Sequence, residues 1–268
     1  MNSAAIGVFD SGIGGLTVMH ALMRAVPAES LVYFGDTARV PYGPKSPDTV
    51  RRFARENVQL LLDRGVKMVV VACNTATAHA LDYLRASFPI PVVGVIGPGA
   101  RAAARATHSA RVGVIGTYGT VSSDAYGRQL RALLAGVEVF SRACPLLVPL
   151  AEEGLLEHPA TRLIAREYLE PFSEDGIDTL ILGCTHYPLF KPLIAEILGP
   201  GMTLVDSAEE TAREVQQVLG ARGLGSATGR NGERRFLVSD LPGQFRRVGR
   251  TFLGEDPGDV EVVRAGEG

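Results

Sequence analysis

The chain has 268 residues, 46 % hydrophobic and 21 % charged, with a formal net charge of −2. That length suits one large or two modest globular domains, and the near-neutral balance offers no electrostatic basis for binding nucleic acid or an anionic membrane. No apolar run approaches the roughly 20 residues of a membrane span, the N-terminus lacks a signal-peptide layout, and three cysteines without a CxxC pair argue against a disulfide scaffold and for a reducing cytoplasm.

Ile6 to Phe9 reads as a short buried strand, followed by Asp10-Ser11-Gly12-Ile13-Gly14-Gly15 and a helix from Leu16 to Val26. The glycines let backbone N–H groups crowd a ligand. A dinucleotide fold, with Asp36 holding a ribose, fits poorly: Thr17 stands at the third glycine position of GxGxxG, and Asp10 sits where a pyrophosphate would lie. A carboxylate there suits a cationic group, such as a substrate ammonium, or a proton relay. Leu31 to Phe34 is the second strand. The loop through Pro41, Tyr42 and Gly43 reads as a turn. Ser46 as N-cap, Pro47 at the first helical position and Gly65 beyond the end bracket a long helix with one apolar face.

Val69 to Ala72 is a β-branched run that delivers Cys73, Asn74 and Thr75 to a helix over Ala76 to Arg85. A thiol at a helix N-terminus feels the positive end of the macrodipole, so its pKa is expected below the free value of about 8.5. The alternative is a buried, inert cysteine. His79 on the helix is a second candidate metal ligand, or simply structural. Val92 to Ile96 is a further strand. Gly97-Pro98-Gly99 is expected to break the chain and mark a domain crossover.

The second half repeats the first. VGVIGTYGT from Val112 resembles IGVFDSGIGG from Ile6, 106 positions earlier, and TLILGCTHY from Thr179 places Cys184 on Cys73, 111 positions earlier. Such a repeat implies two related α/β halves. Paired about a pseudo-twofold, they bring strand C-termini face to face, where open α/β sheets bind ligands. The turn with Thr117 and Thr120 either holds a carboxylate or caps a helix from Ser123 to Leu134. Cys144 has no repeat partner and is expected to be structural. Glu152 and Glu153 read as a solvated helix start, and Thr161 to Phe172 as a helix. Thr203 to Asp206 is a strand, Ser207 to Glu210 a capping box opening a helix to Leu219, and Gly220 to Gly232 a mobile loop. Strands at Phe236–Ser239 and Val260–Val263 flank a helix near Gly243 to Phe252. This tail is expected to return to the first half, giving a discontinuous domain of residues 1–97 plus 208–268 and a second domain of residues 98–207. The fold class is α/β, with mainly parallel sheets and a cleft between two pseudo-symmetric domains.

Several chemistries could use two cysteines across a cleft. Cys73, Cys184 and His186 could bind a metal, but their spacing matches no zinc pattern. A redox pair usually sits close in sequence. A thiol nucleophile with His186 as base leaves one cysteine idle. Paired acid and base accounts for both: one thiolate removes a proton from one face of a substrate and the other thiol returns one to the opposite face. Asp10 and His186 would then tune the thiols.

FDSGIGGLTV (9–18), YFGDTARVPYGPKS (33–46), ACNTATA (72–78), CPLLVPLAEEG (144–154) and LGCTHYPL (182–189) together resemble bacterial glutamate racemases, within the wider aspartate/glutamate racemase family. The resemblance implies cofactor-independent interconversion of L- and D-glutamate, for peptidoglycan synthesis. It implies Cys73 and Cys184 as catalytic bases, with Cys73 facing D-glutamate and Cys184 facing L-glutamate. Asp10, Glu152 and His186 are implied as auxiliary acid–base residues, and Asp10, Ser11, Pro41, Tyr42, Gly43, Asn74, Thr75, Thr117, Thr120, Thr185 and His186 as substrate contacts. Ala151 departs from the larger apolar residue of many relatives. The expected partner is a small-molecule substrate, with no cofactor, metal, nucleic acid or membrane, in a cytoplasmic homodimer. Aspartate or another amino-acid racemase, or a non-catalytic amino-acid binding protein, are the alternatives.

Overall fold

The computed structural model describes residues 4–226 and 231–265. Ten strands and twelve α-helices appear among them. The first six elements are β1 (Ile6–Asp10), α1 (Leu16–Ala25), β2 (Leu31–Gly35), α2 (Pro47–Leu62), β3 (Met68–Val71) and α3 (Asn74–Ser87). They are followed by β4 (Val92–Gly94) and α4 (Ile96–Ala106). The second half runs β5 (Arg111–Gly116), α5 (Tyr118–Ser122), α6 (Ala125–Leu133), β6 (Glu138–Ala143), α7 (Leu147–Glu152), α8 (Pro159–Leu169), α9 (Pro171–Asp175), β7 (Thr179–Gly183), α10 (Lys191–Leu198) and β8 (Thr203–Asp206). The tail adds α11 (Ser207–Ala221), β9 (Arg234–Val238), α12 (Pro242–Leu253) and β10 (Val260–Val262).

Two sheets form, and every strand pair in them is parallel. The larger has the order β10-β9-β2-β1-β3-β4 and the smaller β6-β5-β7-β8. The uninterrupted apolar runs of β1, β3 and β7 follow from this: helices cover both faces, so every residue of those strands is buried. In each sheet the chain leaves the central strand to one side and then returns to the other, at β2 and β3 about β1, and at β6 and β7 about β5. These are the topological switch points where α/β sheets open a crevice at their C-terminal ends. Cys73 follows β3 beside Asp10 of β1, and Cys184 follows β7 beside Gly116 of β5. The tail strands β9 and β10 join the first sheet, with Phe34 in register with Leu237. One apolar cluster runs through both halves, joining Val8 and Leu16 to Leu147, Leu180 and Tyr187, with Ala212 and Phe252 from the tail. Smaller clusters cover the remaining face of each sheet.

Local chemistry explains where the elements differ from expectation. Helix α4 runs straight through Gly97-Pro98-Gly99 instead of breaking there. Pro98 lies in its first turn, where a missing N–H has no intrahelical partner to lose. Gly99 lets the helix approach Tyr126 and Ser207, whose atoms would lie 3.2–3.4 Å from an added Cβ. The cap of α11 is Asp206, which accepts the Ala208 N–H at 2.9 Å, and Ser207 is already helical. The helix expected over Ser123 to Leu134 is present as α6 and begins two residues later, at Ala125, because Asp124, whose φ of 50° is left-handed, separates it from α5. Of the loop expected over Gly220 to Gly232, residues 227–230 lie outside the described residues. Among the described residues no helix is long and apolar enough to cross a membrane.

Candidate active site

Cys73 is the N-cap of α3. Its Sγ accepts the Ala76 N–H at 3.4 Å and stands 3.8 Å from Ser11 Oγ. The helix-terminus contact does favour a thiolate, but it does not prevail. Burial pushes the Cys73 thiol up to about 12, the negative charge of Asp10 adds to the shift, and the Ala76 N–H and Ser11 hydroxyl oppose it only in part. The expectation of a lowered pKa at Cys73 is therefore corrected: desolvation outweighs one dipole end. Asp10 is itself buried, and burial raises its carboxyl pKa against the opposing pull of His186 and of the Gly12 and Gly15 N–H groups.

Cys184 lies where β7 runs into a short 3₁₀ turn over Tyr187–Phe190. Its Sγ is 3.7 Å from Nδ1 of His186, and Nε2 of that ring is 2.9 Å from Glu152 Oε1. Burial alone would lower the His186 pKa. Its contacts with Cys184 and Glu152 overcome that and lift it to about 10, so the ring carries a proton at neutral pH. Glu152 is thus no part of a solvated helix start. It is the last residue of α7, and its side chain turns inward to the imidazole. Phe252 of the tail closes the other side of the ring, edge-on, with centroids 5.1 Å apart. The glycine turn after β1 presses on the same place: a Cβ on Gly14 would overlap Thr185 Oγ1 and the His186 ring.

Both thiols line one cleft of about 400 Å³. Of the other residues singled out in the sequence, Ser11, Pro41, Tyr42, Gly43, Asn74, Thr75, Thr117, Glu152, Thr185 and His186 also line it. Asp10 and Thr120 stand behind the wall, both buried, with Thr120 Oγ1 3.4 Å from Thr75 Oγ1. The halves are stitched across the cleft by Thr75 to Thr117 at 2.8 Å and by the Gly119 N–H donating to Gly43 O at 2.9 Å. Cys144 is buried at the end of β6, outside the lining. Another depression, about 440 Å³ and lined by His20, Arg24 and Arg213 among others, contains neither thiol, so its size does not make it the reaction site.

Sequence reasoning missed two contributions. Val40, Pro44, Pro145, Val148 and Pro149 give the cleft an apolar wall; the prolines beside Tyr42 and Cys144 were the available signal. Asp36 holds Tyr42 in place. It accepts from the Tyr42 hydroxyl, from Arg39 Nε at 2.7 Å and from Ser239 Oγ at 3.1 Å, and is wholly buried. That leaves it no access to a ribose. His79, half-buried on α3, faces Gly119 and does not line the cleft that holds Cys73. Among the described residues no three His, Cys, Asp or Glu side chains converge as a metal site requires.

A family model described as Asp/Glu/Hydantoin racemase matches residues 6–215. The chain belongs to this racemase family. A glutamate racemase of Geobacter metallireducens is 55 % identical over 97 % of this chain and 96 % of its own. Among solved structures, the glutamate racemase isoform RacE1 of Bacillus anthracis superposes with a TM-score of 0.94 at 42 % identity, covering 97 % of each chain. A glutamate racemase of Francisella tularensis in complex with D-glutamate gives 0.92 at 40 %, covering 98 % of each. In this chain the cleft is built on the two-sheet architecture and on the cysteines that follow β3 and β7.

Proposed function

We propose that the protein is a cofactor-independent glutamate racemase in which Cys73 and Cys184 act as paired acid and base. One observation carries the reading: two thiols, each delivered by a switch-point strand of a different sheet, line a single cleft. Full-length similarity to glutamate racemases supports glutamate as the substrate.

Starting from L-glutamate, the Cys184 thiolate takes the Cα proton. An S–H bond forms, and the C–H electron pair stays on the substrate, delocalised into its carboxylate. Protonated His186, held by Glu152, supplies the cation that pairs with that thiolate. The buried Cys73, kept a neutral thiol by burial and Asp10, delivers its proton to the opposite face of Cα. In the reverse direction Cys73 must first give up its proton, and Asp10, whose carboxyl is raised by burial, is suited to receive it. Ser11, Pro41, Tyr42, Gly43, Asn74, Thr75, Thr117 and Thr185 hold the substrate, with Thr120 behind Thr75 and Asp10 acting from behind the wall through its charge on the substrate ammonium. Among the described residues no lysine lines the cleft to anchor pyridoxal phosphate: Lys67 pairs with Glu29 and Lys191 with Asp206.

The halves, residues 1–97 plus 208–268 and residues 98–207, act as two domains of a cytoplasmic homodimer that supplies D-glutamate for peptidoglycan. The test is purified protein given single enantiomers of glutamate and aspartate, with chiral analysis and no added cofactor. Glutamate should equilibrate from both sides. Faster turnover of aspartate would reassign the substrate, and binding without turnover would make the protein a non-catalytic receptor.

A further inference from the structure

Asn74, the first residue of α3, is 3 % exposed and lines the cleft. Its Oδ1 accepts the hydroxyl of Tyr126 at 2.7 Å. Its Nδ2, also buried, has no hydrogen-bond partner among the described residues. A buried donor left unpaired costs free energy, so this amide is built for an acceptor that the protein itself does not supply.

The amide could in principle be turned over, with Nδ2 toward Tyr126. The neighbours of Tyr126 decide against that. Ser207, at the junction of β8 and α11, packs beside the phenol, its Cβ and the Tyr126 hydroxyl standing 3.2 and 3.4 Å from the place of a Cβ on Gly99. Asn74 is the acceptor that the described residues give the phenol proton, so the amide must present its oxygen to receive it. Burial also pushes the Tyr126 phenol up, so the proton stays in place. Tyr126 is 2 % exposed, and its ring is fixed between α4 and β7, where an added Cβ on Gly183 would meet it at 3.0 Å. A rigid ring on α6 of the second half thus reaches across to a side chain on α3 of the first.

We propose that Tyr126 is a positioning residue for substrate capture: its hydroxyl locks the Asn74 amide so that Nδ2 donates to a carboxylate oxygen of the bound amino acid. The inference rests on the racemase reading of the cleft. The experiment compares wild type, Tyr126→Phe, Asn74→Ala and the double variant by steady-state racemisation in both directions and by calorimetric titration with D-glutamate. Tyr126→Phe should raise KM and weaken D-glutamate binding about 5–10-fold, with kcat changing far less. In the Asn74→Ala background the same change should have no further effect, because its route is already removed. Ser207→Ala, which keeps the phenol but removes the side chain packed beside it, should give a smaller rise of about 2–3-fold and covers the case in which Tyr126→Phe folds poorly. An unchanged KM in Tyr126→Phe, or losses that multiply in the double variant, would overturn the positioning role and leave Tyr126 a packing residue. If wild type binds D-glutamate without racemising it, the racemase reading fails and calorimetry alone decides on Tyr126. If wild type does neither, both fall.

Discussion

Glu152 Oε1 lies 2.9 Å from His186 Nε2, at the far side of the ring from Cys184. A carboxylate so placed fixes which nitrogen faces the thiol and stabilises the imidazolium. Replacing Glu152 by Gln keeps the hydrogen bond but removes the charge. The His186 pKa should then fall from about 10, and the alkaline limb of the pH–rate profile should move toward neutral pH. The rate near pH 8 should drop roughly 10-fold, less than the 10²–10⁴-fold worth of a direct proton-transfer group. An unmoved profile would remove Glu152 from the relay.

The same raised pKa makes a stability statement. His186 binds its proton more tightly folded than unfolded, so its contribution is fully present below the unfolded value of about 6.5 and is lost as pH rises toward 10. Urea titrations of wild type and His186→Asn at several pH values should show a wild-type advantage that narrows across that window. An advantage growing with pH would reverse the assigned sign.

Cys73→Ala and Cys184→Ala should each lower racemisation by roughly 10²–10⁴-fold or more, because each removes one proton-transfer group. Cys144→Ala should keep activity and lose about 1 kcal/mol of stability, since it only vacates buried volume. A folded but inactive Cys144→Ala would relocate the site.

With thiols on opposite faces, the proton removed by one is not the proton delivered by the other. In heavy water, product formed early from either enantiomer should carry deuterium at Cα while the remaining substrate keeps hydrogen. Separate mass analysis of the two enantiomers after a short incubation reads this directly. Early product that retains much of the substrate's hydrogen would favour a single base.

Gly14→Ala inserts a methyl where Thr185 and the His186 ring already stand. Overpacking of this kind costs about 1–3 kcal/mol, and the displaced loop carries Cys184. Activity should fall by at least tenfold in protein whose circular dichroism remains that of wild type. Full activity would mean that the Cys184 loop tolerates the shift.

Much of this molecule is written in short stretches. Cys73 and Cys184 each follow an apolar run, because a strand buried on both faces must be continuously apolar. The repeat of that pattern, with the DSGIGG and VPYG motifs, was enough to indicate an α/β fold, the two thiols and their family. Helix limits set by Ser46, Pro47 and Gly65 are equally local. Other features depend on residues far apart in the chain. The Cys73 pKa rises because folding strips water from the thiol and sets Asp10 near it, 63 positions away in sequence, and burial overrides the helix end visible locally. Glu152 looked like a surface residue until the end of α7 was packed against His186. Asp36 anchors Tyr42 only with Ser239 from the tail, and Tyr126 orients Asn74 only because α6 reaches across the cleft. Periodicity records which face of an element is buried; it holds no record of which polar atoms meet once water is excluded, and those meetings set the protonation and aim of the site.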